Sequence, residues 1–406
     1  RSRGVWPAPC PPPCPRAPPA ASSASPAAQG AHSSGAPFPR AAGMGNFLDV
    51  PLTEKTTDVD EDTGKRQWVG WSCMQGWRAQ MEDDHVVLLS IPEAEGISVF
   101  GVFDGHGGDH VAHYTAKHIQ QHIVNQPMFK PPFTHEVLST SFSAAILALD
   151  AELKNQPEHT SGHDQSGSTL TMVALTPTDV ICANTGDSRS VLCRGGEAVE
   201  ISNDHKPFLE DEKNRIENAG GHVKFNRVNG DLAVSRALGD FAYKTRDDLP
   251  ATAQAVTADP EVIVQARTPE DQFLILACDG IWDVMSSQEC VTYVSDLLKA
   301  TERPASEAPV RAATGGDGAS AGGPVDTPQP ALRDWDIGAV CECLLDKCLE
   351  KGSRDNMSVV IVVLNEEFAT GTEARRRVGS ASTGVAVPVS PVSAPGAPST
   401  EAPSAS

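Results

Sequence analysis

The sequence predicts an α+β fold in which mainly antiparallel sheets carry helices on their outer faces. Short apolar runs bounded by turn residues recur from about residue 66 to 366. Helical periodicities come in groups between sets of those runs, not one after each strand, which speaks against a doubly wound parallel sheet. Apolar residues make up 39% of the chain, unevenly spread, so a sizeable core is expected only in that central stretch.

Residues 1–43 contain no Asp or Glu, four Arg, and dense Pro, Ala and Ser. No face can be buried there, and the segment reads as a disordered leader. The first methionine is Met44, and Met44-Gly45-Asn46-Phe47-Leu48 opens like a myristoylation signal with Asp49 in place of Ser/Thr. We expect translation to start at Met44, the alternative being an acid-free transit-like leader. Residues 44–65 then form an N-terminal segment with Gly45 as the acylation candidate.

The runs at 97–103, 170–175, 179–183, 191–193, 272–278 and 358–364 read as strands. Residues 135–154 place Leu138, Phe142, Ile146, Leu149 and Leu153 on one helical stripe. Ser286 with Glu289 forms a capping box ahead of Val291, Val294, Leu297 and Leu298. A third helix runs from about Asp336 through Leu344 to Gly352, a residue suited to the position after a helix end. Residues 301–333 read as a low-complexity loop inserted between two helices, and 367–406 as a disordered tail.

Charge narrows the function. Outside 1–43, 28 Lys+Arg face 53 Asp+Glu, a net charge of about −25. Such a body repels nucleic acid and anionic lipid and suits a protein that collects cations. No apolar run approaches the roughly 20 residues that span a bilayer. The ten cysteines show no zinc-type pair of pairs and read as reduced, mostly buried thiols.

Acidic residues cluster at strand ends. Asp104 follows SVFGVF and precedes Gly105-His106-Gly107-Gly108; Asp187 follows VICANTG; Asp279 follows FLILAC, with Asp283 four residues on. Asp355-Asn356 precedes MSVVIVVL, and Arg78-Ala-Gln-Met-Glu82-Asp83-Asp84-His85 precedes Val86. One Asp-Gly is more simply a turn. Five such clusters are better explained by convergence at one sheet edge, where carboxylates would repel unless hard divalent cations joined them. Mg²⁺ and Mn²⁺ prefer oxygen donors, and no EF-hand spacing points to Ca²⁺.

The motifs MQGWRAQMEDDH (74–85), VFDGHGG (102–108), SGST (166–169), NTGDSR (184–189), DHKP (204–207), RVNGDLAVSRALGDF (227–241), LACDGIWDVM (276–285) and KGSRDNMSVV (351–360) occur in this order. Together they resemble the metal-dependent protein phosphatase family of the 2C type, over about 44–366. The alpha/beta-type animal enzymes are the most similar, though without their helical C-terminal extension, and their Met-Gly start is myristoylated. The resemblance implies a four-layer α-β-β-α sandwich and a catalytic domain at 66–366. It also implies hydrolysis of phosphoserine and phosphothreonine by water activated between two Mg²⁺ or Mn²⁺.

By the same resemblance, Asp104 would bridge the cations, Asp279 and Asp355 would hold the first, and Glu82 with the Gly105 carbonyl the second. Asp83 would orient water, and Asp187 and Asp283 would join Asp279 in a third, weaker site. Arg78 would grip phosphate, His106 would be the general acid, and Arg236, in a flap, would be a further substrate contact. Partners would be phosphoproteins. The enzyme would be a monomer of cytoplasm and nucleus, membrane-associated where Gly45 is acylated.

Other readings compete. His110, His113, His118 and His122 read as solvated helix histidines, since the zincin Glu is missing. Ser166–Thr169 reads as a tight turn into a strand, and Asp84 as solvent-facing. An inactive scaffold on the same fold is the alternative function. No P-loop or kinase glycine loop supports a nucleotide enzyme.

Overall fold

The computed structural model describes residues 47–364 apart from 63, 66 and 301–335. The expectations for 1–43, Met44, Gly45, the 301–333 insertion and 367–406 lie outside these residues.

Two antiparallel sheets face each other. The first has six strands in the order Phe47–Asp62, Gln67–Arg78, Met357–Val363, Asp271–Ala277, Arg189–Arg194 and Glu197–Glu200. The second has five, in the order Glu261–Ala266, Asp179–Thr185, Leu170–Leu175, Ser98–Phe103 and Asp84–Leu88. The helices Ser287–Ala300 and Ile337–Glu350 cover the first sheet, and His110–Val124 and His135–Lys154 cover the second. These are the four layers that the sequence implied.

Burial explains the patterns. Along Ser98–Phe103, Phe100 and Val102 point into the core between the sheets, while Val99 and Phe103 pack under the helices. A strand buried on both faces has no polar side, hence the unbroken run SVFGVF. Leu138, Phe142, Ile146, Leu149 and Leu153 are fully buried, as their helical spacing requires. Asp336 accepts from the Ala339 amide at 3.0 Å to cap the last helix. Glu289 closes the capping box on the Ser286 amide at 2.9 Å.

The expected runs leave out several strands, Gln67–Arg78, Glu197–Glu200 and Glu261–Ala266 among them, and the longest of those left out is Phe47–Asp62. Phe47–Asp62 pairs antiparallel with Gln67–Arg78 as a sheet edge, so residues 47–62 belong to the same sheet as the catalytic motifs. Most of its side chains are exposed, which leaves no hydrophobic alternation to read.

Candidate metal centre

Strand ends bring the acidic motifs together. Asp104 leaves the strand Ser98–Phe103 of the second sheet, and Cys278-Asp279 leave Asp271–Ala277 of the first. Asp355 precedes Met357–Val363, the neighbour of Asp271–Ala277. A carboxylate oxygen from each of Asp104, Asp187 and Asp279 lies within 4.8 Å of the others. Asp104 also shares a 4.8 Å cluster with Asp83 and the Cys278 sulfur. Asp104 is thus common to two groups.

Close backbone approach makes this possible. A Cβ at Gly105 would sit 2.2 Å from the Glu82 carbonyl oxygen, and one at Gly280 2.0 Å from that of Asn356. Neither position admits a side chain. Asn356 fixes the Arg78–Glu82 loop: its Nδ2 donates to the carbonyls of Gln75 at 2.9 Å and Gln80 at 3.0 Å, and its Oδ1 accepts from the Glu82 amide at 3.0 Å. The Thr169 amide donates to the Asp104 carbonyl at 2.9 Å, and its hydroxyl bonds Ser188 at 2.7 Å. The SGST turn is therefore structural, tying the Asp104 and Asp187 turns together.

The electrostatics are unbalanced. Burial, then the charges of Asp279, Asp83, Asp355 and Asp187, hold the Asp104 carboxyl well above the usual range. Asp279 is raised in the same way by burial, then Asp187 and Asp355. Burial lifts Asp83 to about 7, which the Ser358 hydroxyl and Cys278 thiol ease only in part. Neither Asp83 oxygen has a hydrogen-bond partner of normal geometry. Glu82 is also raised, chiefly by burial. Among the described residues, the Lys and Arg paired with this group are Arg78, 2.5 Å from Asp355, and Lys206, 2.5 Å from Asp187. Crowded, orphaned oxygens of this kind fit hard divalent cations. Burial and the surrounding carboxylates drive the Cys278 thiol far up.

This imbalance gives a signed prediction. Carboxyls raised in the fold bind more protons folded than unfolded, so metal-free stability falls as pH rises from the ordinary carboxylate range through about 7. Thermal melts in EDTA should give a lower Tm at about pH 8 than at about pH 5, with Mg²⁺ or Mn²⁺ restoring the loss. Asp83→Asn should flatten the slope. A metal-free Tm that rises over this interval would contradict the imbalance.

Other expected residues are placed as follows. Glu82, Asp283 and Asp355 join neither trio. Asp355 is drawn to Arg78 and to the Asn356 amide at 2.8 Å, and Asp283 is exposed one helical turn beyond Asp279, whose carboxyl it helps to raise. Arg78 lines a cleft with Gly280, Asp283, Ser353, Arg354 and Asp355. Arg236, expected as a substrate contact, is engaged within the fold: its guanidinium grips Glu212 Oε1 at 2.7 and 3.0 Å and the Asp259 carbonyl at 3.0 Å. In this structure it acts as an internal anchor. Asp84 is not simply solvent-facing either, since it holds His113 Nδ1 at 2.8 Å.

Two important partners were missed. His106 Nε2 lies 2.7 Å from Oδ2 of buried Asp240. Burial alone would lower the imidazole pKa, but the charge and hydrogen bond of Asp240 outweigh it and raise the net value. Asp240 has a left-handed backbone, φ 52°, a rare conformation that Asp tolerates. Lys206 is the other. Their only signal was position within ALGDF and DHKP, because nothing in spacing pairs residues 134 and 19 positions apart.

A protein phosphatase 2C family model matches residues 68–357. Rat protein phosphatase 1B is 40% identical over 343 residues, covering 82% of this chain and 79% of the relative. Human protein phosphatase 1A is 40% identical over 324 residues, with 79% and 76% covered. A solved phosphatase from a pathogenic strain of Toxoplasma gondii superposes with TM-score 0.58 at 26% identity, covering 76% of this chain and 95% of that one. A Caenorhabditis elegans sex determining protein gives 0.58 at 25% identity, with 74% and 66% covered.

Proposed function

The chain belongs to the protein phosphatase 2C family and is a metal-dependent protein serine/threonine phosphatase; we propose that it works through two Mg²⁺ or Mn²⁺ ions that share Asp104. The observation that carries this reading is the membership of Asp104 in two separate oxygen-bearing clusters. Bound divalent cations would supply an activated water and neutralise charge during in-line displacement at phosphorus.

The chain's own residues supply the rest. Asp279 and Asp355 would complete one cation site, Glu82 and the Gly105 carbonyl the other, and buried Asp83 would orient water. Arg78 presents a planar fork at the cleft, with a buried Nε that has no partner, and suits two phosphate oxygens. With His106 Nε2 committed to Asp240, the Nδ1 proton is the one available to the leaving serine or threonine oxygen. A third ion at Asp187, Asp279 and Asp283 would bind more weakly, since Lys206 already neutralises Asp187.

Equilibrium dialysis with Mn²⁺, run alongside phosphopeptide hydrolysis, tests this. Two ions per chain should bind together with the return of activity after EDTA treatment, and the count should fall in Asp104→Asn. Full activity with a single bound ion would sink the binuclear reading. We infer further a monomer of cytoplasm and nucleus, with a membrane-associated fraction where Gly45 is acylated. No helix among the described residues is long and apolar enough to cross a membrane.

A further inference from the structure

His110 opens the helix His110–Val124, where the sequence reads it as one solvated histidine among four. The fold instead sets it against the short helix Pro157–Thr160 and the turn that follows. One ring nitrogen of His110, one of His159 and a carboxylate oxygen of Asp164 all lie within 4.8 Å of one another. The His159 side chain is only 3% exposed.

The hydrogen bonds around this trio leave its centre unfilled. His159 Nδ1 lies 3.3 Å from the Asp164 carbonyl oxygen, an acceptor, so Nδ1 is the donor and the neutral ring presents a lone pair at Nε2. Nε2 is buried with no hydrogen-bond partner, and so is Asp164 Oδ2, 3.4 Å away. That separation is longer than a normal N–H···O bond. With the ring neutral, two buried lone pairs face each other, and either a proton on Nε2 or a metal cation between them offsets the cost. The outer contacts are in place: Asp164 Oδ1 accepts from the Ser166 amide at 2.9 Å, and Gln156 Oε1 lies 3.1 Å from His110 Nε2. A backbone carbonyl behind a ligating imidazole and a hydrogen-bonded carboxylate are the usual supports of metal ligands.

We propose that His110, His159 and Asp164 form a second metal site, chemically distinct from the carboxylate centre, for a zinc-class ion. Two imidazoles and one carboxylate suit Zn²⁺ or Co²⁺ with a fourth position open, whereas Mg²⁺ prefers all-oxygen surroundings. The site also touches the machinery of the acid. The Ser166 carbonyl accepts from the Asp240 amide at 3.2 Å, Gly167 pairs with His106 across a short ladder, and Phe241 packs edge-on against His159 at 5.0 Å. An ion there bolts the start of the helix His110–Val124 to the turn that supports the His106–Asp240 pair.

The test uses the full chain carrying Asp104→Asn, kept in excess Mg²⁺ and titrated with Co²⁺. One equivalent of Co²⁺ should give visible d–d absorption of a four-coordinate site without thiolate charge transfer. Zn²⁺ should abolish it. Adding His159→Gln or Asp164→Asn should each weaken Co²⁺ binding by at least the 10–100-fold that loss of an outer-shell partner costs. Asp164→Asn keeps the oxygen that caps Ser166, and metal-free melting curves identify any variant that does not fold, in which case the other decides. Absence of the band, or its retention in either folded variant, overturns the proposal.

Discussion

Asp104→Asn is expected to lower metal-dependent hydrolysis of p-nitrophenyl phosphate by about 10³-fold or more. Metal ions supply several kcal/mol of charge stabilisation in such reactions, and each ~1.4 kcal/mol is a factor of ten. The substitution is nearly isosteric but replaces a carboxylate shared by two clusters with a neutral amide. The same change should raise the Tm in EDTA, because Asp104 sits in the field of Asp279, Asp83, Asp355 and Asp187 and its burial without cations is unfavourable. Opposite signs in the two assays separate loss of metal from loss of fold. Asp187→Asn should cost far less, since Lys206 already neutralises that carboxylate at 2.5 Å. Asp104→Asn turning over within tenfold of wild type at saturating Mn²⁺ would remove Asp104 from the bridging role.

Sequence reading reached different depths for different parts of this molecule, for physical reasons. Strands buried on both faces, such as Ser98–Phe103 and Met357–Val363, announce themselves as unbroken apolar runs because no residue in them meets water. The edge strand Phe47–Asp62 does not, since its side chains mostly face solvent and its pairing is carried by the backbone. The clustered carboxylates were legible because each borders a strand in a turn, a local signature. Asp240 and Lys206 act across the fold on His106 and Asp187, and no local rule encodes such pairs. The pairing of Arg236 with Glu212 was not legible, because proximity in a motif says nothing about where a guanidinium points. His110 looked solvated because its partners His159 and Asp164 come from a segment some fifty residues later.

His106→Ala should lower turnover of an alkyl phosphoester such as a phosphoserine peptide by roughly 10²–10⁴-fold, the range of a positioned general acid. The loss on p-nitrophenyl phosphate should be much smaller, because that leaving group needs no proton. Asp240→Asn tests the pair from the other side. Asp240 raises the His106 pKa by its charge and by the 2.7 Å hydrogen bond, against a burial effect that acts to lower it. The acid works protonated, so activity on the alkyl ester falls as pH rises through the His106 pKa in the fold. With Asp240 neutral its charge no longer raises the imidazole pKa, the pKa drops, and this alkaline limb moves to lower pH. The p-nitrophenyl phosphate profile, which does not depend on the acid, should not shift, a split that general loosening of the site would not produce. Equal losses on both substrates in His106→Ala, or an unmoved limb in Asp240→Asn, would leave protonation of the leaving oxygen to another donor.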